Sequence, residues 1–282
     1  MHRFISNSRK EVISSRNHPS IRLIRSLHLR AERERTGLFY IEGIRFVAQA
    51  IESRAPLEAI VCAPPLLKHP LGQRIVHQQR RAGVPCLEVT PDVLSSLALN
   101  DEPQGIGAVV RQKWEPLAPL VPAQDLCWLA LETIQSPGNL GTMLRTSDAV
   151  GAAGVILIGN GIDAYDPATV RATMGAIFAQ RFVRASLKTF MAWKHRHQCL
   201  LVGTSPHGAT EYHAIAYPAP VVLFMGGERK GLSAEQQALC DVMVKIPMVG
   251  RSDSLNLAVA TGIMLYEIYR QAAAPQPVES GA

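Results

Sequence analysis

Four short, unbroken apolar runs in the second half of the chain, at residues 126–131, 154–158, 200–204 and 221–225, set the tightest limit on its fold. A strand with one face in water alternates polar and apolar side chains. An apolar run without alternation, too short for a helix and bounded by glycine or polar residues, reads as a strand covered on both faces. The runs therefore predict a parallel sheet with helices on either side. A closing helix is expected at residues 255–270, where Leu255, Val259, Ile263, Leu265 and Ile268 recur at helical spacing, with N-caps on offer from Ser252 to Ser254.

The first half alternates strand and helix signals on a smaller scale. Strands are expected at 38–42, 57–62 and 84–89 and helices at 44–53, 71–82 and 91–98, giving a small α/β domain. Between the halves, Pro116, Pro119 and Pro122 favour an extended, semi-rigid connector over residues 112–125. The expected organisation is a first domain at 1–111, the linker, a second domain at 126–272 and a disordered Ala/Pro/Gly/Ser tail at 273–282.

With 282 residues, 47% of them hydrophobic and 18% charged, the chain has length for about two domains and ample surface to bury. No apolar run is long enough to span a membrane, and the polar, Arg/Lys-bearing start is unlike a secretory signal, so a soluble, cytoplasmic protein is expected. The five cysteines, Cys62, Cys86, Cys127, Cys199 and Cys240, are odd in number, widely spaced and without a C-x-x-C pair. They read as small buried hydrophobes, and His195 and His197 near Cys199 lack a second ligand cluster, so no metal is expected. Residues 1–35 hold nine Lys or Arg against three Glu, which accounts for the whole net charge of +6. Such a basic arm points to a polyanion, most simply nucleic acid, or else to a solvated helix face.

Three motifs fail on inspection. Gly159-Asn160-Gly161-Ile162-Asp163-Ala164 has dinucleotide-site glycines, but Asp166-Pro167 delays the helix that would meet the pyrophosphate. The turn from Gly226 to Gly231 has P-loop spacing, yet Leu232 stands where the phosphate-binding lysine belongs. Gly203-Thr204-Ser205-Pro206-His207 lacks the second glycine of a nucleophile elbow.

Three others hold, each at a strand exit. Ser136 as N-cap and Pro137 at the first helical position start a helix that sets Asn139 at the mouth of the sheet and Arg145 further along. Gly226-Gly227-Glu228-Arg229-Lys230-Gly231 follows a strand, and Ile246-Pro247-Met248 precedes Ser254-Leu255-Asn256-Leu257. Open parallel sheets bind ligands at the carboxyl ends of their strands, so the three loops define one site.

In this order the segments resemble the signature of the SpoU/TrmH branch of the SPOUT RNA methyltransferases, over about residues 126–271. N-x-G with a downstream Arg is matched by Asn139, Gly141 and Arg145, G-x-E-x-x-G by Gly226, Glu228 and Gly231, and the last motif by Ile246-Pro247-Met248 and Ser254-Leu255-Asn256. Ser136 departs from the Asp that many members carry there. His18-Pro19, Ile21, Arg22 and the stretch from Phe39 to Arg45 are similar to the RNA-binding domain, akin to certain ribosomal proteins, that often precedes this catalytic domain.

The resemblance implies a deep trefoil knot, a homodimer with its active site completed across the interface, S-adenosylmethionine as cofactor and a ribose 2′-hydroxyl as acceptor. Ribosomal RNA is the favoured substrate; transfer RNA, or a non-catalytic RNA-binding or assembly role, is the alternative. It assigns cofactor binding to Thr204, Gly226, Gly227, Ile246, Met248, Leu255 and Leu257. RNA contacts fall to Arg16, His18, Arg22, Arg25, Arg30 and Arg45. Arg145 carries the chemistry, with Asn139, Glu228, Ser254 and Asn256 around it. Arginine is too weak an acid to serve as a base once protonated, so its expected role is to fork onto a phosphate and stabilise developing alkoxide charge. The plain alternative for Arg145 is a surface ion pair with Asp148.

Overall fold

A computed structural model of the protein describes residues 12–98, 102–123 and 125–273. The expected tail beyond Ala273, and Arg3, Arg9 and Lys10 of the basic arm, lie outside the described residues. The chain forms two compact units, one running to Gln112 and joined by Asp163–Ala179, the other built from Lys113–Ile162 and the residues from Gln180 onward.

The first unit contains α1 (Pro19–Ser26), α2 (Arg30–Thr36), β1 (Leu38–Glu42), α3 (Ile44–Glu52), β2 (Leu57–Cys62), α4 (Pro70–Arg81), β3 (Cys86–Glu88), α5 (Pro91–Ser95) and β4 (Ile106–Arg111). Proline at the first helical position, behind caps from His18, His69 and Thr90, fixes where α1, α4 and α5 begin. The sheet order is β1-β4-β2-β3, with β4 antiparallel to both its neighbours and β3 parallel to β2. The central strand β4 has no counterpart in the sequence reading, because Gly107 interrupts its apolar run. That glycine is obligatory, since a Cβ there would collide with the Tyr40 hydroxyl and the backbone of Ile41.

The second unit opens with β5 (Trp128–Leu131), α6 (Pro137–Ala149) and β6 (Gly154–Ile158). After α7 (Pro167–Ala172) in the first unit, it resumes with β7 (Phe182–Ala185), α8 (Leu187–Arg196), β8 (Leu200–Thr204), β9 (Thr210–Glu211), β10 (Val221–Met225), α9 (Ala234–Leu239), β11 (Val242–Lys245) and α10 (Leu257–Ala273). Its seven strands run in the order β7-β6-β5-β10-β8-β11-β9, and every pair is parallel. The four runs read from sequence are the adjacent strands β6, β5, β10 and β8 in the middle of the sheet.

The segment expected to link the domains packs into the second unit. Leu117 and Leu120 are buried there, the Glu115 amide donates to the Phe182 carbonyl at 2.8 Å, and Trp193 Nε1 donates to the Leu120 carbonyl at 2.9 Å. Cys62, Cys127 and Cys199 are buried and Cys86 and Cys240 half-buried, all as free thiols. Burial pushes the Cys62 and Cys127 thiols up to about 12. No helix among the described residues is long and apolar enough to cross a membrane.

The basic N-terminal segment is no loose arm over its described part. Ile21 and Ile24 of α1 are fully buried in the core of the first unit. Several of its charges are also spent within the fold: Arg16 pairs with Asp92, Arg30 with Glu34 at 2.9 Å, and Arg35 with Glu32 at 2.7 Å. Arg33 is 2% exposed and grips the returning segment, with Nη2 at 2.6 Å from Asp163 and 3.7 Å from Asp166 while Nη1 donates to the Leu27 carbonyl. Asp166 also caps α7, and Tyr165 and Phe178 close on Phe39 with ring centroids 4.7 and 6.4 Å away.

Removing one member of a buried ion pair strands the other's charge, whereas removing both with a good fit can be neutral. Arg33→Ala is expected to lower the unfolding free energy by about 2–4 kcal/mol, discounted from the fully buried case because Asp163 keeps some solvent contact. Urea denaturation would show it, and a loss under about 0.5 kcal/mol, the scatter of ordinary surface substitutions, would mean that the pair does not anchor the segment.

Candidate active site

Parallel register aligns Met225 of β10, Thr204 of β8 and Val244 of β11 in one rank. The residues that follow these strands therefore leave the sheet at a common edge. Glu228 lies in the turn after β10, where Gly227 and Gly231 exchange two backbone hydrogen bonds of 3.2 and 3.0 Å. Its carboxylate accepts from the amide of Gln135 at 2.9 Å, from the amide of Ser136 at 2.9 Å, and from Asn139 Nδ2 at 3.4 Å. Those donors stand at the entry to α6, where the first backbone amides of a helix lack partners within it and the helix dipole favours an anion. The Ser136 hydroxyl caps the same helix by accepting from the Asn139 amide at 3.3 Å.

Asn139 passes the connection on. Its Oδ1 accepts from Asn256 Nδ2 at 3.1 Å, and Asn256 Oδ1 accepts from the amides of Ala258 at 2.9 Å and Val259 at 3.3 Å. Asn256 is thus the cap of α10, in place of the serines expected from sequence, and the helix starts two residues later than expected. A single chain of side chains, Glu228–Asn139–Asn256, joins all three motifs within the second unit.

Burial raises the energy of the Glu228 charge, but the amides of Gln135 and Ser136 and the Asn139 carboxamide outweigh it and hold the carboxyl below the usual range. A carboxylate with a depressed native pKa stabilises the fold above its unfolded pKa, and the contribution is lost as pH falls through the native value. Glu228→Gln is expected to cost about 1–3 kcal/mol at neutral pH, as for hydrogen bonds to a charged group. In urea titrations the gap between the two proteins should close as acid protonates the carboxyl. A gap independent of pH would show that the charge is irrelevant.

The other expected site residues are less connected. Arg145 sits on α6 six residues beyond Asn139, about 9 Å along the axis and on a different side of the helix. It is exposed, and no ion pair or hydrogen bond holds its side chain among the described residues, so the expected alternative partner Asp148 does not engage it. Ser254 is exposed and its hydroxyl reaches only Asp253, at 3.4 Å. Sequence reasoning missed the Gln135 and Ser136 amides as the holders of Glu228, although a helix start marked by Ser136-Pro137 was the signal for an anion site.

The expected cofactor residues lie on the loops at this edge. Thr204 is half-buried with its hydroxyl 3.6 Å from Met225 Sδ, Ile246, Met248 and Leu257 are half-buried, and Leu255 is exposed. Gly226 is not kept bare to admit a ligand. A Cβ there would strike the backbone of Gly231 and Leu232, so the turn itself demands glycine. Gly227 is the more open of the pair, its nearest neighbour the Thr133 carbonyl, 3.3 Å from where a Cβ would stand. Half-buried aliphatic side chains around loop backbone, with one hydroxyl, suit a ligand having a flat heteroaromatic ring and hydrogen-bonding edges. Of the residues assigned to RNA, His18 caps α1, Arg25 donates to Ser96 Oγ at 2.9 Å, Arg16 and Arg30 are in ion pairs, and Arg22 and Arg45 are exposed.

Comparison with known proteins agrees with this arrangement. The profile of the SpoU rRNA Methylase family matches residues 127–266, and that of the MRM3-like substrate binding domain matches residues 18–108. The chain is 32% identical over 254 residues to the 23S rRNA (uridine(2479)-2'-O)-methyltransferase of Streptomyces viridochromogenes, with 86% of each protein covered. It is 29% identical to the 23S rRNA (guanosine(2553)-2'-O)-methyltransferase of Bacillus subtilis, over 92% of this chain and 99% of that one. Among solved structures, the AdoMet-bound rRNA methyltransferase from Sinorhizobium meliloti superimposes with a TM-score of 0.85 at 35% identity, covering 94% of this chain and 99% of that one. With its three motifs joined at one sheet edge and its relatives matched over nearly their whole length, the chain belongs to the SpoU rRNA methylase family.

Proposed function

We infer that this protein transfers a methyl group from S-adenosylmethionine to a ribose 2′-hydroxyl of ribosomal RNA. The observation that carries the reading is the Glu228–Asn139–Asn256 chain, which ties the family's three motifs into one site. Relatives named as 23S rRNA 2′-O-methyltransferases favour ribosomal over transfer RNA. Thr204, Gly227, Ile246, Met248, Leu255 and Leu257 would hold the cofactor, which supplies a methyl group activated by its sulfonium.

The residues of the chain have the harder task, because a ribose hydroxyl is a poor acid and a poor nucleophile. The Arg145 guanidinium, uncommitted to any carboxylate, forks onto a phosphate beside the target ribose and stabilises the oxygen as negative charge develops there. The hydroxyl proton leaves to that phosphate or to water. Asn139 and Asn256 offer amide groups at fixed positions to the ribose, and the Ser254 hydroxyl completes the polar shell. Glu228 is a positioning residue: its low pKa makes it a feeble base, and its hydrogen bonds hold Asn139 in place.

The same reading includes a cytoplasmic protein, a knotted C-terminal chain and a homodimer. Support for the dimer comes from α10, where Val259 is 52% and Tyr266 53% exposed, with half-buried Ile263 between them on one face. Large apolar side chains lined up in water mark a contact surface. Replacing both Val259 and Tyr266 by Glu should convert the dimer to monomer in light scattering. An unaltered mass would place the interface elsewhere.

Catalysis has its own test. Arg145→Ala should bind S-adenosylmethionine within about twofold of wild type by calorimetry. Its methyl transfer to ribosomal RNA should fall by about 100-fold or more, the usual loss for one donor to a developing oxyanion. Full activity would remove Arg145 from the mechanism. Absence of cofactor uptake by the wild-type protein, with RNA present, would leave only an RNA binder.

A further inference from the structure

Among the described residues, the free positive charge of the first unit is not where the sequence concentrates it. Arg16, Arg30, Arg33 and Arg35 all face carboxylates. Helix α4 behaves differently. It carries Arg74, His77, Arg80 and Arg81 and no acidic residue over its whole length. Among the described residues only Arg80 of these finds a carboxylate, 2.6 Å away on Glu88.

Helical geometry sorts the remainder. At 100° per residue, Arg74, His77, Gln78 and Arg81 fall within one arc of about 100°, opposite the buried arc of Gly72, Ile75 and Val76. All four are exposed, and among the described residues none of the three basic side chains has an acidic partner. Lys68, also exposed and unpaired, precedes the helix. Elsewhere in the unit the unpaired, exposed cations are dispersed: Arg22 on α1, Arg45 at the start of α3 and Arg54 beyond its end. A cation in the last turn, such as Arg81, complements the helix dipole, but Arg74 lies two turns earlier and gains nothing from it.

We propose that the outer face of α4, through Arg74, His77, Gln78 and Arg81, is a docking surface for the phosphate backbone of the RNA substrate. The span from Arg74 to Arg81 is about 10 Å, long enough to follow a few successive phosphates of one strand. Arginine forks match phosphate oxygens, and the Gln78 amide can both donate to and accept from a ribose hydroxyl. The face carries no aromatic or bulky apolar anchor apart from Leu71 at its rim, which favours a nucleic-acid backbone over a lipid surface. The surface reads shape and charge rather than base sequence. It rests on the reading of this protein as an RNA methyltransferase and names where the first unit holds the substrate.

The test is the triple variant Arg74→Gln/His77→Gln/Arg81→Gln, compared with wild type and with Arg74→Lys/Arg81→Lys. Binding of ribosomal RNA, and of a plain RNA duplex of about 20 base pairs, is measured directly across salt concentrations. KM and kcat for methylation are measured alongside. The triple variant should raise KM about tenfold and leave kcat unchanged. It should also reduce the slope of log affinity against log salt by about 1.5 to 2, the share of two lost phosphate contacts. The lysine variant should keep the wild-type slope. Unchanged thermal midpoint and cofactor affinity report an intact fold, and Arg74→Gln alone should give about half the slope change.

Equal slopes and affinities in wild type and the triple variant would overturn the proposal. So would loss of adhesion to anionic lipid vesicles with RNA binding intact. Should the wild type bind RNA but transfer no methyl group, the catalytic reading falls while the slope comparison still decides the role of α4.

Discussion

Everything distinctive about the second unit depends on where one carboxylate has been placed. The parallel sheet brings loops to a common edge but does not by itself fix them against one another, since each leaves its strand free of ladder bonds. Glu228 supplies the missing constraint by taking the amides of Gln135 and Ser136 and the side chain of Asn139. Asn139 in turn sets Asn256, the cap from which α10 begins. The arrangement has a chemical corollary. A carboxylate stabilised in its charged form has little appetite for a proton, so Glu228 frames the site and does not serve as its base. In the proposed mechanism the exposed Arg145 answers that need by making the acceptor oxygen easier to ionise.

The first unit uses charge in the opposite sense. Of the arginines that look in sequence like a polyanion-binding arm, Arg16, Arg30 and Arg35 are paired with carboxylates, and Arg33 is buried at the base of the segment it holds. Its guanidinium satisfies Asp163 and the Leu27 carbonyl together, which a lysine ammonium with its single point of charge would do less well. Net charge computed over a stretch of sequence is therefore a poor guide to which surface is positive. Pairing decides it.

How much was legible depended on burial. The strands found in the sequence, β5, β6, β8 and β10, stand side by side in the middle of the sheet, where both faces are covered and apolar residues run unbroken. Those missed, β7, β9 and β11, lie toward the sheet's edges and carry exposed or half-buried residues such as Arg184, Glu211 and Lys245 that break the run. In the first unit β4 was hidden by Gly107, whose reason is a contact with Tyr40 far away in sequence. At the candidate site, Glu228, Asn139 and Asn256 could be singled out from the sequence because motif spacing is local. Partnerships were not, because Glu228 and Gln135 meet only after the sheet has formed. The rejected dinucleotide motif shows the local rule at its best: Asp166-Pro167 does delay the helix, and α7 starts at Pro167, beyond the glycines, with Asp166 as its cap.

The excursion of Asp163–Ala179 into the first unit separates sequence order from assembly order. On the ribosome, the N-terminal stretch through Gln112 emerges with Phe39 still lacking Tyr165 and Phe178, and with Arg33 lacking its carboxylates. At roughly 5–20 residues per second, the missing piece arrives several seconds later. During that interval a buried cation and an aromatic face are open to water and to other nascent chains, and the first unit cannot close until the stretch Lys113–Ile162 of the second has been made. A fragment cut at the apparent domain boundary would be frozen in the same unfinished condition.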